Sequence, residues 1–286
     1  MAEYISPLKD IVFKYIFGRE ENSDCLLSFV NAVLSDSEMN KITQIEILNP
    51  FNEKEFIDDK LSVLDIKAED EEKNIYNIEI QLSGNEEYKY RTLYYWSRIY
   101  SDQLMESENY SLLKPVICIN ILNFDLIKDI DAFHTCFLAY EYKNKDILLT
   151  EHFQLHFLEI PKFEQNKSKI NELLKNWFEY LIFEGKEEEK MKGILDKNSD
   201  IQKAHKEYKK FTNDTNMRDL YEARMKFNRD QESLLRHAKM DGVKEGKIEG
   251  ENEKAIIIAK NMLKDNEPLE KIAKYTGLSL EDINKL

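Results

Sequence analysis

Two stretches of the chain alternate strictly between apolar and polar positions. In Leu61-Ser62-Val63-Leu64-Asp65-Ile66-Lys67-Ala68 a period of two sets Leu64, Ile66 and Ala68 on one face and Val63, Asp65 and Lys67 on the other. In Tyr76-Asn77-Ile78-Glu79-Ile80-Gln81-Leu82 the apolar face is Tyr76, Ile78, Ile80 and Leu82, and the polar face is Asn77, Glu79 and Gln81. The charged run 69–74 between them predicts a hairpin loop, although no Asn-Gly or Asp-Gly marks the turn. A helix is expected over 86–106, with Leu93, Trp96, Tyr100 and Leu104 spaced for burial and Tyr88, Arg91, Tyr95 and Arg98 on another stripe. The apolar run Val116-Ile117-Cys118-Ile119-Asn120-Ile121-Leu122 reads as a further strand, and residues 152–158 alternate like one. Beyond about residue 165 strand patterns stop. Residues 170–183 form an amphipathic helical pattern through Leu173, Leu174, Trp177, Tyr180 and Leu181, 185–192 a charged connector, and 201–211 a lysine-rich helix.

The C-terminal part repeats at two periods. Leu220, Phe227 and Leu234 recur every seven residues, and Gly242, Gly246 and Gly250 every four. In a helix each glycine costs about 1 kcal/mol relative to alanine, so this stripe is either a flexible linker or a face for close helix approach. Residues 268–286 read as a helix, a turn at Gly277, and a second helix capped by Ser279 with Asp282 three residues on. That resembles a helix-turn-helix, but the second helix is short and opens with two acids, which suits a major groove poorly and a packing or dimerisation unit better.

The polar face of the two alternating stretches carries the candidate chemistry. If pairing sets Asp65 against Glu79, their Cβ atoms lie roughly 5 Å apart. Two carboxylates that close repel by about 3 kcal/mol at an effective dielectric near 20, and a hard cation with oxygen ligands relieves it. The plainer alternative is a half-exposed hairpin whose acids face solvent; the helix-like run and the apolar strand that follow favour a sheet with helices on both faces, which would leave the polar face in a cleft. On the following helix Arg91 and Tyr95 are one turn apart and able to reach a phosphate and a stacked base. Against this, Arg91 and Arg98 have many acids nearby to pair with, and the tyrosines have a core to pack in. His152 and His156 have the spacing of helical zinc ligands, but on a strand they stand roughly 13 Å apart and are expected as strand-surface residues. Cys25, Cys118 and Cys136 form no Cys-x-x-Cys pair and read as small buried residues. No Gly-rich phosphate loop or Gly-x-Ser-x-Gly elbow is present, which removes kinase, Rossmann and serine-hydrolase readings.

A helix, a hairpin bearing Asp and then Glu-x-Gln, a helix and a strand resemble the PD-(D/E)XK nuclease core. The resemblance is closest to the Rpn group of recombination-promoting nucleases, often labelled transposases. It rests on the opening Pro7-Leu8-Lys9-Asp10-Ile11-Val12-Phe13-Lys14-Tyr15-Ile16-Phe17-Gly18 and on Asn31-Ala32-Val33-Leu34. Ile78-Glu79-Ile80-Gln81, Arg91-Thr92-Leu93-Tyr94-Tyr95-Trp96-Ser97 and Tyr110-Ser111-Leu112-Leu113-Lys114-Pro115-Val116 then follow in the group's order. The resemblance implies an α/β fold, a mixed sheet flanked by helices like that of restriction endonucleases, followed by an all-α C-terminal region. It makes Asp65 and Glu79 the metal-binding carboxylates, the backbone carbonyl of Ile80 a further ligand, and Mg2+ the ion, with Mn2+ able to substitute. Gln81 departs from the superfamily lysine and orients a water through its amide, with Lys67 on the same face as Asp65 able to supply the missing cation. Arg91 and Tyr95 resemble a Gln-x-x-x-Tyr feature of some superfamily members, and Arg98 joins them as a substrate contact. An acid of the first helical region assists the metal in some members; Asp10, beside Lys14 on one face, Glu20 and Asp24 are all eligible here.

At 286 residues the chain is long enough for a catalytic domain over 1–185, a helical extension over 186–240, and a Gly-repeat helix or linker with a helix-turn-helix-like unit over 241–286. Unpaired cysteines and a start without a secretory signal suggest a cytoplasmic protein, and no apolar run is long enough for a membrane span. The net charge of −14 argues against broad duplex binding through bulk electrostatics, leaving local cations such as Arg91, Arg98 and those of 203–210 to contact a backbone. The expected activity is metal-dependent hydrolysis of DNA phosphodiesters leaving a 3′-hydroxyl, by a homo-oligomer joined through its C-terminal helices. Recombination, transposition or defence against foreign DNA comes with the family name alone. The alternative is a family member that no longer cuts and serves as a binding or assembly module.

Overall fold

The computed structural model describes residues 4–51 and 66–286. The chain divides into two compact units, Met1–Tyr221 and Glu222–Leu286. The first is built on a six-stranded mixed sheet of β1 (Ile45–Ile47), β2 (Ile66–Asp70), β3 (Ile75–Gln81), β4 (Val116–Leu122), β5 (His134–Tyr140) and β6 (Leu148–Glu159), in spatial order β1-β2-β3-β4-β6-β5. The β3–β4 and β4–β6 pairs are parallel and the other three are antiparallel. Every residue of β4 is buried, as a parallel strand covered on both faces must be, and this is why its sequence is a nearly unbroken apolar run.

The β2–β3 hairpin turns without glycine because Asp70 organises it. Its carboxylate accepts from the backbone N–H groups of Glu72 and Asn74, both at 2.9 Å, and from the Tyr76 hydroxyl at 3.0 Å. Lys73 takes the left-handed conformation at φ 66°.

One face of the sheet is sealed. Tyr76, Ile78 and Ile80 of β3 and Ile117, Ile119 and Ile121 of β4 join a core completed by α1 (Asp10–Phe17), α2 (Ser23–Asp36) and α5 (Glu172–Phe183). The helical pattern sequence analysis placed over 170–183 starts at Glu172, where Asn171 accepts from the Leu174 N–H at 2.8 Å as N-cap. Phe13, Phe17, Phe29, Trp177 and Phe178 interlock there, all at most 1% exposed. The short α4 (Phe163–Asn166), α6 (Glu188–Leu195) and α7 (Ser199–Asn213) extend this core: Met191, Ile194, Ile201, Ala204 and Phe211 are buried in it. Helical packing therefore continues past residue 185 without a break, and α6 begins within the stretch read from sequence as a connector.

The opposite face is covered by α3 (Tyr88–Ser101), shorter at both ends than the expected 86–106. Its rotation differs from the sequence reading. Leu93, spaced for burial, is 42% exposed, while Tyr88 and Thr92 are its buried residues and Trp96, Ile99 and Tyr100 pack beside them. The cause is the polar Asn120 in the centre of β4, whose Oδ1 accepts from the Tyr88 hydroxyl at 3.1 Å and lies 3.4 Å from Thr92 Oγ1. A buried amide must be bonded, so it fixes which stripe of α3 turns inward.

His156 also corrects the sequence reading. It lies on β6 as expected but is completely buried, beneath the C-terminal end of α2. Its Nδ1 is 3.1 Å from His134 Nε2, and His134 Nδ1 is 2.8 Å from Asp36 Oδ2. The end of α2 covers that position, with the Ser37 hydroxyl 3.5 Å from His156 Nδ1.

The helix α8 (Thr215–Lys264) supplies residues to each unit, and runs through Gly242, Gly246 and Gly250 without interruption. Within Glu222–Leu286, α9 (Leu269–Thr276), the left-handed Gly277 and α10 (Leu280–Asn284) close on a small core of Ala259, Ile272 and Ile283. Ser279 caps α10 by accepting from the Asp282 N–H at 3.1 Å.

Candidate active site

The period of two that buries Ile78 and Ile80 turns Asn77 and Glu79 to the α3 side. Lys67 stands directly opposite Asn77 in the β2–β3 ladder and so shares that face. Together with Arg91, Tyr94, Tyr95, Arg98, Ile99 and Asp102 they line a cleft of about 310 Å³ between the sheet and α3. Glu79 is the carboxylate at its base, its side chain 13% exposed, and Arg91 Nη2 is ion-paired with its Oε1. The same guanidinium lies 3.4 Å from Gln81 Oε1 and over the rings of Tyr88 and Tyr95, 5.2 and 5.5 Å from their centroids. Gln81 donates from Nε2 to the Ser83 carbonyl at 2.8 Å. Burial first, and the Glu79 carboxylate next, push the Tyr88 phenol well above its ordinary range, which keeps it a neutral donor to Asn120.

Asn77 is the residue that sequence reasoning passed over. It is 4% exposed, it lines the cleft, and its Oδ1 has no hydrogen-bond partner among the described residues. A buried carbonyl oxygen left unbonded costs about 1–3 kcal/mol, an expense that a ligand in the cleft would recover. The signal for it was its shared face with Glu79. By contrast Asn120, two residues along β4 from the partner of Asn77, is fully bonded, donating to the His156 carbonyl at 3.1 Å.

The other expected site residues fall in several places. Asp65 lies outside the described residues. Ile80 points its side chain into the sealed core. Arg98 pairs with Asp102 at 3.8 Å on the cleft rim. Asp10, Lys14, Glu20 and Asp24 are not among the residues lining the cleft; Lys14 is buried in α1, and Asp24 pairs with Lys203 at 2.6 Å. Lys209 and Lys210 are likewise engaged, with Glu184 and Glu207. Cys25 and Cys118 are buried and Cys136 half-buried, and burial first pushes the Cys25 and Cys136 thiols up to about 12, far from a reactive thiolate.

No group of three or more His, Cys, Asp or Glu side chains forms a metal cage among the described residues. The donors in the cleft are nevertheless of one kind: the Glu79 carboxylate and the orphaned Asn77 carbonyl are both oxygens. That set fits a hard cation such as magnesium, which takes few protein ligands and keeps waters, and does not fit a nitrogen- and sulfur-bound zinc.

The description PD-(D/E)XK nuclease family transposase matches residues 7–238. The chain belongs to this family. No curated protein and no solved structure is matched. Membership in this PD-(D/E)XK family accounts for the mixed sheet between helices and for the helical C-terminal region. It carries a nuclease-like role, implies DNA as partner, and places the chain among nucleases that generally use divalent metals. No helix among the described residues is long and apolar enough to cross a membrane.

Proposed function

We propose that the chain is a metal-dependent endodeoxyribonuclease whose centre is the cleft on the α3 side of β3. The observation that carries the reading is the buried Asn77 oxygen without a partner among the described residues, on one face with Glu79 and opposite Lys67, in a member of a nuclease family. In this reading Asp65 and Glu79 hold Mg2+, with the backbone carbonyl of Ile80 as a further ligand. The ion would supply charge neutralisation and a more acidic water.

The remaining groups belong to the chain itself. Gln81 has an amide with both a donor and an acceptor and so orients the attacking water, while the Lys67 ammonium adds positive charge at the scissile phosphate. Arg91 presents five donors in a planar fork, enough to hold a carboxylate oxygen and phosphate oxygens together. Arg98 extends the cationic rim, and Tyr95, over which Arg91 lies, offers a ring to a base.

A second reading, a member that binds but no longer cuts, is favoured by two contacts: Arg91 already neutralises Glu79, and Gln81 is tied to Ser83. Plasmid cleavage by wild type beside Asp65→Ala and Glu79→Ala, with magnesium, with manganese and with EDTA at low salt, separates the two. Metal-dependent nicking that falls about a thousandfold in both variants, the loss of several kcal/mol of charge stabilisation, establishes the nuclease. Folded wild type that cuts nothing, or variants that cut equally well, hands the lead to the binding module.

A further inference from the structure

The helix α3 is chemically unlike the chain that carries it. Across Tyr88–Ser101 it holds Lys89, Arg91 and Arg98 and no acid, in a protein of net charge −14. It also sorts its aromatic residues into two sets. Trp96 and Tyr100 are stacked, 5.0 Å apart and 14° from parallel, and Trp96 Nε1 donates to the Val116 carbonyl at 3.1 Å. These two are part of the packing against the sheet. Tyr90, Tyr94 and Tyr95 face outward, 72%, 56% and 36% exposed. Tyr94 and Tyr95 are tilted by 53° at 5.8 Å, so neither ring covers the other.

We infer that this outer face of α3 is a stacking platform for unpaired nucleotides, so that the preferred substrate is DNA with a single-stranded stretch beside the scissile phosphate. The inference rests on the nuclease reading for the identity of the ligand and goes beyond it in naming the strandedness. Tyr94, Tyr95, Arg91 and Arg98 line the cleft, which puts rings and cations within the reach of one strand. Tyr90 and Tyr94 are four residues apart on one stripe, hence about 6 Å along the helix axis. Bases in a duplex repeat every 3.4 Å and use both faces on each other, leaving none for a protein ring. An extended single strand has free base faces at longer intervals, and each base stacked on an aromatic side chain contributes sequence-independent affinity. Net negative charge penalises a broad duplex footprint more than a contact confined to one helix.

The test is fluorescence anisotropy with labelled oligothymidylate and with a blunt duplex of equal length, in EDTA so that nothing is cut. Wild type is compared with Tyr90→Ala/Tyr94→Ala and Tyr90→Phe/Tyr94→Phe, each checked by circular dichroism. Expected are single-strand binding at least about tenfold tighter than duplex binding, a loss of about tenfold or more on the single strand in the alanine pair, and retention in the phenylalanine pair. Equal affinity for both DNAs overturns the platform, as does an alanine pair that binds like wild type. Loss of self-association in sedimentation without any change in DNA binding overturns it too, by assigning the face to a second copy. Because binding is read without metal, a protein that grips single strands and never cuts defeats the nuclease reading and keeps the platform, whereas one that nicks duplex and ignores single strands does the reverse.

Discussion

The two faces of β3 come from one alternating heptapeptide and do opposite things. Tyr76, Ile78 and Ile80 disappear into an aromatic core, while Asn77 and Glu79 line a cleft beneath a helix. The sealed face is an apolar and aromatic core, although the Tyr180 hydroxyl buried within it finds no hydrogen-bond partner among the described residues. The α3 face leaves a buried oxygen unbonded and holds a carboxylate against a guanidinium. The first is closed packing, whereas a carboxylate, an amide and cations gathered around open space mark the second as the candidate place for a ligand.

Breaking the scaffold face has the largest expected effect. Phe29 touches Phe13, Phe17, Trp177 and Phe178 and is completely buried, so Phe29→Ala costs about 3–5 kcal/mol in urea or guanidinium unfolding. A loss below about 1 kcal/mol contradicts the packing described for that face.

Two asparagines sharpen the contrast within the other face. Asn120→Leu leaves the Tyr88 hydroxyl without its acceptor and is expected to cost about 1–3 kcal/mol. Asn77→Leu removes an oxygen that bonds nothing among the described residues, so its stability is expected to stay within about 1 kcal/mol of wild type while cleavage and manganese binding fall at least about tenfold. If Asn77→Leu unfolds the protein as readily as Asn120→Leu, the orphaned oxygen has a structural use and its role in the cleft is lost.

The sealed side has one titratable weak point. Burial, and secondarily the neighbouring His134, hold His156 down from 6.5 to about 3. Between those values the unfolded chain binds a proton there that the folded chain does not. Stability therefore rises with pH through this window and falls as pH drops from about 6 to 4, by up to about 1.4 kcal/mol per unit. Thermal melts of His156→Gln are expected to show a shallower acid slope than wild type; an unchanged slope removes His156 as the cause.

The smallest effect concerns the exposed helix. A Cβ at Gly246 meets nothing within 4 Å, so Gly246→Ala is expected to stabilise α8 by about 1 kcal/mol in a single chain. A destabilisation that grows with protein concentration would instead mean that this stripe is pressed against another helix in a homo-oligomer.

Which residues share a face was legible from alternation alone, because a strand's geometry is fixed locally. So were the residues of α5 and the Ser279 cap, where neighbouring positions hold the information. Three features were not. The turn of α3 depends on Asn120, about thirty residues away, and a helix with aromatic residues on every side offers no single stripe to choose. The burial of His156 depends on Asp36 and His134, which arrive from α2 and β5. The pairing of Arg91 with Glu79 was weighed as a general alternative, but only the crossing of α3 over β3 decides which acid the arginine meets. In each case the missing information was a long-range contact between polar groups, for which sequence carries no period.

The acid-free α3 in an acidic chain has a kinetic consequence. A nucleic acid approaching from a distance experiences the whole protein, which repels it, and only at close range the cations of Lys89, Arg91 and Arg98. Moderate salt shortens the Debye length to about 10 Å and damps the distant repulsion before it weakens direct contacts. Encounter is then expected to speed up with added salt before it slows, the reverse of the usual steered association. On the proposed platform, the acidic remainder of the chain would act as a gate, admitting strands that already lie close to the helix and turning away the bulk of a duplex.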